Sequence, residues 1–191
     1  MKAQQEIITY ILITAILIIV ISYAYIWGVG IIEKNRDVSN LQRIEDIMKE
    51  LNNKIKSVAN VGGRESVKID IPTFSFENGA IKIFVETKAT IYEPGRQIYF
   101  TKNPDCHITN SCILGKDEPE IFYVESIKIE EKYHITYYLS YRNLISLQDG
   151  NVYLIVLVGE RQMGKGEVII ENKGKVVEGN MIKTFIEIKL V

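Results

Sequence analysis

The sequence predicts an α+β protein in which one long amino-terminal helix, part transmembrane and part amphipathic stalk, precedes an antiparallel β-sandwich or barrel-like domain. Three observations lead to this expectation. The chain opens with an uncharged apolar segment, continues with apolar residues spaced three or four apart, and then alternates apolar and polar residues between glycine turns. At 191 residues it has room for one membrane segment and one modest domain.

The first element is the apolar run from Ile7 to Ile32, 26 residues without a charged side chain. As a helix it would rise about 39 Å, enough to cross a hydrocarbon core of about 30 Å. Tyr10 and Trp27 lie near its two ends, where interfacial aromatic residues are expected. A cleavable secretory signal would have a shorter apolar region and a small-residue cleavage site. We therefore predict one transmembrane helix, preceded by a short cytoplasmic tail over residues 1–6.

Residues 33–63 are predicted to form an amphipathic stalk helix. Its apolar side chains make one stripe: Val38, Leu41, Ile44, Met48, Leu51, Ile55 and Val58. Gly62 and Gly63 end the periodic segment. The stripe lasts only about three heptads, which is short for a coiled coil, so we expect it to pack on the domain that follows.

The junction between the membrane segment and the stalk allows two interpretations. Gly28 and Gly30 could form a flexible joint, or a continuous helix could pass through them, because glycine is tolerated in membrane helices. A new helix could also start at the junction, since Asp37 or Ser39 could cap it.

Residues 64–191 are predicted to form the β-rich domain. Asn78-Gly79 lies between two alternating segments and is a strong hairpin signal. Pro94-Gly95 indicates a second turn. The segment 152–158, VYLIVLV, is apolar on both faces and is predicted to be a central strand. The last strand runs to Val191, so the carboxyl terminus is expected to belong to a sheet.

Cys106 and Cys112 lie six residues apart in a loop between Pro104 and Gly115. We predict a local disulfide, which fits an extracytoplasmic location. The alternative is a pair of free or redox-active thiols in a cytoplasmic domain. His107 lies between the cysteines, but the ligand spacing is poor for zinc, and we predict no metal and no cofactor.

Motifs for catalysis or nucleotide binding are absent from the sequence, so we predict that the protein is not an enzyme and has no small-molecule substrate. A net charge of −1 gives no electrostatic footprint for nucleic acid. Tyr133, Tyr137 and Tyr141 alternate in a predicted strand and are expected in the core. A carbohydrate- or peptide-binding surface would use the same residues.

The residues that precede the apolar run carry a resemblance to a known family. Lys2 and Ala3 stand before Gln4 or Gln5, and Glu6 lies at the edge of the apolar run. In these features the chain resembles archaeal type IV pilin-like proteins with class III signal peptides. The resemblance implies peptidase processing at Ala3 and Gln4, an uncleaved helix that becomes a filament core, and an assembly contact of Glu6 with the freed amino terminus of a neighbouring subunit.

Two signals conflict over which side of the membrane the β-domain occupies. Basic residues after the membrane segment, including Lys34 and Arg36, favour a cytoplasmic domain under the positive-inside rule. The cysteine loop and the pilin-like leader favour the outside, and long domains are translocated largely regardless of charge. We expect a cell-membrane protein with a cytoplasmic amino terminus and an extracytoplasmic carboxyl-terminal domain.

The sequence therefore predicts a single-pass, pilin-like surface protein that is a subunit or minor component of a filament or related surface assembly. Its expected partners are the lipid bilayer and other pilin-like subunits or further copies of itself, without nucleic acid. The alternative is a permanently anchored, non-enzymatic protein whose β-domain binds a component of a membrane machine.

Overall fold

The computed structural model describes the backbone of residues 2–109 and 111–191, together with the side chains of those ranges apart from residues 2–9 and 107. A long helix, α1, occupies Lys2–Val61 and leads into a β-rich domain. The strands of that domain are β1 (Arg64–Ile69), β2 (Phe74–Glu77), β3 (Ala80–Thr87), β4 (Gln97–Tyr99), β5 (Glu120–Ile129), β6 (Lys132–Tyr141), β7 (Leu144–Ile145), β8 (Val152–Val158), β9 (Gln162–Met163), β10 (Gly166–Glu178) and β11 (Met181–Leu190). A short 3-10 helix, Pro104–His107, lies between β4 and β5.

Helix α1 is continuous from the apolar segment into the stalk. It passes through Gly28 and Gly30, and no new helix starts at Asp37 or Ser39. The Asp37 carboxylate instead accepts hydrogen bonds from two backbone N–H groups just after β3. The helix ends as predicted at Gly62, whose N–H donates to the carbonyl of Val58 and whose positive φ of 85° suits glycine.

The strands form two sheets, which confirms the α+β prediction of a helix followed by a sandwich-like β-domain. The first sheet has the order β1-β10-β11-β8-β7, and the second has the order β4-β5-β6-β3-β2-β9. The pairing is antiparallel except between β11 and β8, which run parallel. The chain leaves β8 for β9 in the second sheet and returns as the β10–β11 hairpin, so β11 has the same direction as β8.

Both predicted turns are present. Asn78 and Gly79 join β2 to β3 with φ of 53° and 70°, the left-handed conformation that a two-residue hairpin turn of this kind requires. Pro94 and Gly95 form the turn before β4, where Gly95 has φ of 81° and its N–H donates to the carbonyl of Ser126 over 2.7 Å.

The predicted strand at 152–158 is present and has a neighbour on each side, but it lies next to the edge of its sheet rather than at the centre. This segment is β8, which lies between β11 and the two-residue β7, so only Val152 and Tyr153 are paired on the β7 side. Most of its side chains are half-buried rather than buried. The predicted place of the carboxyl terminus is correct, because β11 lies inside the first sheet and Val191 exchanges two backbone hydrogen bonds with Glu167.

The core joins the apolar stripe of α1 to the inward faces of both sheets, as predicted from the spacing of the stripe. The stripe residues from the second onward are at most 1% exposed: Leu41, Ile44, Met48, Leu51, Ile55 and Val58. They belong to one cluster with residues such as Ile69, Phe76, Val124 and Ile188 from the two sheets. Burial on this scale is what fixes the β-domain on the helix.

A buried pair of tyrosines adds polar contacts between α1 and the second sheet. The Tyr137 hydroxyl donates to the carbonyl of Leu41 over 2.9 Å and lies 2.9 Å from the Tyr92 hydroxyl. Tyr92 in turn donates to the Glu45 carboxylate over 2.8 Å. Burial is the main cause that raises the pKa of both phenols above the usual value of about 10, so both stay neutral.

A second polar cluster lies farther along α1. The Glu120 carboxylate is 5% exposed and accepts bonds from Asn52 and from Lys56, each over 2.8 Å. Tyr141 donates to the Asn52 side-chain oxygen, also over 2.8 Å, and burial raises the pKa of its phenol. A buried ion pair needs such hydrogen bonds to offset the cost of desolvation. The cluster therefore specifies how α1 is set against β5 and β6.

We predict that Leu51→Ala lowers the free energy of unfolding by about 2–5 kcal/mol, because it leaves a cavity where α1 meets the sheets. The measurement is urea denaturation of the full chain in detergent micelles. Leu147→Ala is the matched control, since Leu147 is 76% exposed and should change stability by no more than about 0.5 kcal/mol. Equal effects of the two substitutions would contradict the packing described for α1.

Candidate functional site: the exposed segment of α1 and the cysteine loop

The segment of α1 from Tyr10 to Ile32 lies outside the β-domain. Its large apolar side chains are exposed on every side of the helix, for example Ile19 at 65% and Trp27 at 72%. Contiguous apolar surface of this extent is not stable in water. Among the described residues, this helix is the one that is long and apolar enough to cross a membrane, and it is compatible with a single-pass anchor.

The two aliphatic hydroxyl groups of residues 10–32, those of Thr14 and Ser22, suit an apolar surrounding. Thr14 donates to the carbonyl of Tyr10 over 2.8 Å, and Ser22 donates to the carbonyl of Ile18 over 2.7 Å. Each polar hydrogen is thus satisfied within the helix itself. A hydroxyl bonded in this way avoids most of the cost of entering hydrocarbon.

A group of charged residues joins the exposed segment to the β-domain. Lys88, which follows β3, forms an ion pair with Glu33 over 3.1 Å. The Asp37 carboxylate accepts the backbone N–H groups of Lys88 over 2.8 Å and Ala89 over 3.3 Å. These contacts hold the β-domain within about one and a half helical turns of Ile32, the last residue of the apolar run. The edge of the domain therefore has a fixed position relative to the apolar segment.

The residues predicted for processing and assembly lie at the start of α1. The backbone of Ala3, Gln4 and Glu6 is helical, but their side chains are outside the described residues. The assignments of Ala3 and Gln4 to processing and of Glu6 to assembly therefore stay predictions.

Cys106 and Cys112 form the predicted disulfide, with Cα atoms 5.0 Å apart. Both residues are buried, at 2% and 1% exposure, and they pack with Leu144 in a small apolar cluster apart from the main core. The bridge is therefore a structural staple within the loop between β4 and β5, and it packs against Leu144 at the start of β7. Closing so short a loop contributes about 2 kcal/mol in the chain-entropy model.

Arg142 organises the loop around this disulfide, although no sequence pattern indicates it. The residue is 4% exposed. Its guanidinium donates to the carbonyl of Glu118 over 2.9 Å and to that of Asn103 over 2.9 Å. A third bond reaches the carbonyl of Lys102 over 3.1 Å. The planar, multiply donating guanidinium can satisfy several loop carbonyls at once, which an ammonium cannot do in the same geometry.

Asp117 also stabilises this loop, through hydrogen bonds that its carboxylate accepts. The backbone N–H of Ile113 donates to its carboxylate over 2.7 Å, and the Asn103 amide donates over 3.1 Å. These two bonds are the main causes that lower the pKa of Asp117. The positive charges of Arg142 and Lys116 lower that pKa further.

Among the described residues, no metal-binding cluster lies at the cysteine loop. Both cysteine sulfurs are committed to the disulfide, and the side chain of His107 is outside the described residues. Within the part of the chain that the structure describes, no three His, Cys, Asp or Glu side chains are grouped to hold a metal ion.

The tyrosines of β6 separate onto the two faces of the second sheet. Tyr137 is fully buried, and Tyr133 and Tyr141 pack against the core, as their alternation predicts. Their packing therefore supports the prediction of core residues over that of a carbohydrate- or peptide-binding surface. Tyr138 points the other way and stacks on Tyr123 of the neighbouring strand. This outward pair could be recognised only from the register of β5 and β6, which the sequence does not state.

Comparisons with known proteins give no family for this chain. No protein-family model matches it, and no curated protein or solved structure matches it either. A function therefore has to be inferred from the exposed segment of α1, its attachment to the β-domain and the stapled loop.

We predict that Arg142→Met lowers the free energy of unfolding by about 2–4 kcal/mol, because several carbonyls of the loop lose a charged donor that reaches them from inside the fold. Arg161→Met is the matched control. Arg161 is largely exposed, and its 3.0 Å pair with Glu77 is a surface ion pair that should contribute no more than about 1 kcal/mol. Urea denaturation of both variants in detergent micelles tests the difference, and a control as destabilised as Arg142→Met would refute the role of Arg142.

The lowered pKa of Asp117 predicts a dependence of stability on pH. The stabilisation is fully present above the unfolded-state pKa of about 4 and is lost as pH falls through the lower pKa of the folded state. Asp117→Asn should therefore be less stable than the wild type at pH 7, and the difference should shrink below about pH 4. Denaturation of both proteins at pH 7, 5 and 3 measures it. A difference that stays constant with pH would count against the charged Asp117.

Proposed function

We propose that the chain is a single-pass, pilin-like surface protein that serves as a subunit or minor component of a filament or related surface assembly. The observation that carries this proposal is the division of α1 into two parts. Residues 10–32 are apolar and exposed, whereas the stripe from Leu41 to Val58 is built into the core of the β-domain. One rigid element thus presents a large apolar surface at one end and a folded domain at the other.

The mechanism of such a subunit would be packing rather than reaction. Lipid covers the apolar segment of α1 before assembly, and the helices of neighbouring subunits would cover it afterwards. Lipid tails are as apolar as the helix, so this exchange depends on close packing and on polar contacts between helices. We assign no residue a catalytic role, and the partners are lipid and other pilin-like subunits or copies of this chain.

Glu6 would supply the polar contact. A carboxylate at the edge of hydrocarbon costs free energy unless it is paired. Processing between Ala3 and Gln4 would free an amino group on each subunit, and that amine could pair with Glu6 of a neighbour. The likeness of residues 2–6 to the leader of pilin-like proteins supports this role.

We place the amino terminus in the cytoplasm and the β-domain outside the cell membrane. The disulfide between Cys106 and Cys112 supports this orientation, because stable disulfides are typical of oxidising compartments. Basic residues on the domain side, such as Lys34 and Arg36, argue for the reverse. A translocated domain of this length is largely indifferent to them.

The proposal is tested by shearing cells that produce the full chain and measuring how much of it leaves with the surface fibres. We expect the wild-type chain in the sheared fraction and Glu6→Gln retained in the membrane. Glu93→Gln is the matched control: it removes the same charge from an exposed ion pair with Arg96 and should assemble normally. Wild-type chain that is released only by detergent would instead indicate a permanently anchored binding protein.

A further inference from the structure

The outer face of the second sheet is rich in exposed apolar side chains. In β5, Phe122 and Val124 point into the core, and the alternating residues Tyr123, Glu125, Ile127 and Ile129 point outward. Outward residues of β3 to β6 form a surface that we call the tyrosine face, which consists of Phe84, Tyr99, Tyr123, Ile127, Ile129 and Tyr138. Phe84, Ile127 and Ile129 are 39%, 47% and 48% exposed. Nothing in the described part of the chain covers this face.

The tyrosines of this face form a row across neighbouring strands. Tyr99 lies opposite Tyr123, with ring centroids 5.3 Å apart, and Tyr123 lies opposite Tyr138, with centroids 4.9 Å apart. Lys82 continues the row, its ammonium 5.7 Å from the centre of the Tyr138 ring. Rings held in this way lose little conformational freedom when a partner binds, which is the property that makes tyrosine a frequent anchor in protein interfaces.

The charges beside the tyrosines favour a second copy as the partner. Lys82 and Glu125 flank the row, and neither has an ion-pair partner in the described part of the chain. One cation and one anion are self-complementary, because Lys82 of one copy can meet Glu125 of another. A strongly acidic or strongly basic partner would place like charges together at one of these two residues.

The helices in the proposed assembly would also bring these faces together. Packed helices lie about 8–10 Å apart. A domain the size of residues 64–191 has a radius of gyration of about 14 Å. Neighbouring domains would therefore contact one another through their side faces, either at the same level or staggered along the helix axis.

We propose that the tyrosine face binds a second copy of this chain. This inference takes its partner from the proposed function, and it adds a specific contact between β-domains to the packing of helices. The contact buries the tyrosine row and sets Lys82 of one copy against Glu125 of the other. It would strengthen the assembly and determine which sides of neighbouring subunits meet.

The experiment mixes full-length chains labelled with ¹⁴N and ¹⁵N in one membrane preparation and treats them with a carbodiimide, which joins a lysine to a contacting carboxylate without a spacer. Mass spectrometry then separates links between copies, which carry both labels, from links within one copy. We expect mixed-label links between Lys82 and Glu125. Exclusively single-label links at these residues would overturn the proposal.

Variants show whether the link depends on the tyrosine face. Y123T/Y138T should reduce the mixed-label link at least about tenfold, since two aromatic anchors are lost. L147S/V177S is the matched control, because it removes two apolar side chains that are 76% and 67% exposed elsewhere, and its link should be unchanged. A reduction as large in this control would overturn the proposal.

Charge reversal provides a test that leaves the aromatic row intact. K82E should abolish the mixed-label link. The double swap K82E/E125K should restore a link between positions 82 and 125, with the two charges exchanged. A double swap that fails to restore the link would count against the contact.

The outcome can be separated from that of the proposed function. Mixed-label links in cells without sheared fibres would support this contact and refute the filament. Fibres that form with only single-label links would refute this contact and leave the filament proposal standing.

Discussion

The burial of one stripe of α1 between the two sheets is the interaction on which the rest of the structure depends. Residues from Leu41 to Val58 supply apolar side chains to a core that also holds the inward faces of both sheets. Because the helix continues without a break into the apolar segment, the same contact fixes where the β-domain stands relative to that segment. The exposed end of the helix can then be lipid-facing or subunit-facing without any change in the domain.

Buried polar groups specify the arrangement that apolar burial stabilises. Tyr137 and Glu120 bond to α1 at two levels, so sliding or rotating the helix would leave them unpaired. Arg142 has the same role for the disulfide loop, whose carbonyls it holds from inside the fold. Long-range contacts of this kind, and not the disulfide alone, give the domain one defined structure.

Features set by local periodicity and turn chemistry could be predicted from the sequence, including the stripe of α1, its end at Gly62 and the Asn78-Gly79 hairpin. Features set by strand pairing could not. The parallel pair of β8 and β11 depends on a chain crossover between sheets, and the row of tyrosines depends on the register of three strands. In the sequence alone, Arg142 cannot be distinguished from an ordinary polar residue at the end of a strand, because its partners are backbone carbonyls from other parts of the chain.

We infer that α1 is a processed assembly helix rather than a simple anchor. The most direct test is to measure the intact mass and the amino-terminal residue of the protein recovered from native membranes. We expect a chain that begins at Gln4, or close to it, with the disulfide intact. A chain that retains Met1 or Lys2 would contradict it, and α1 would then be a permanent anchor whose β-domain serves a different partner.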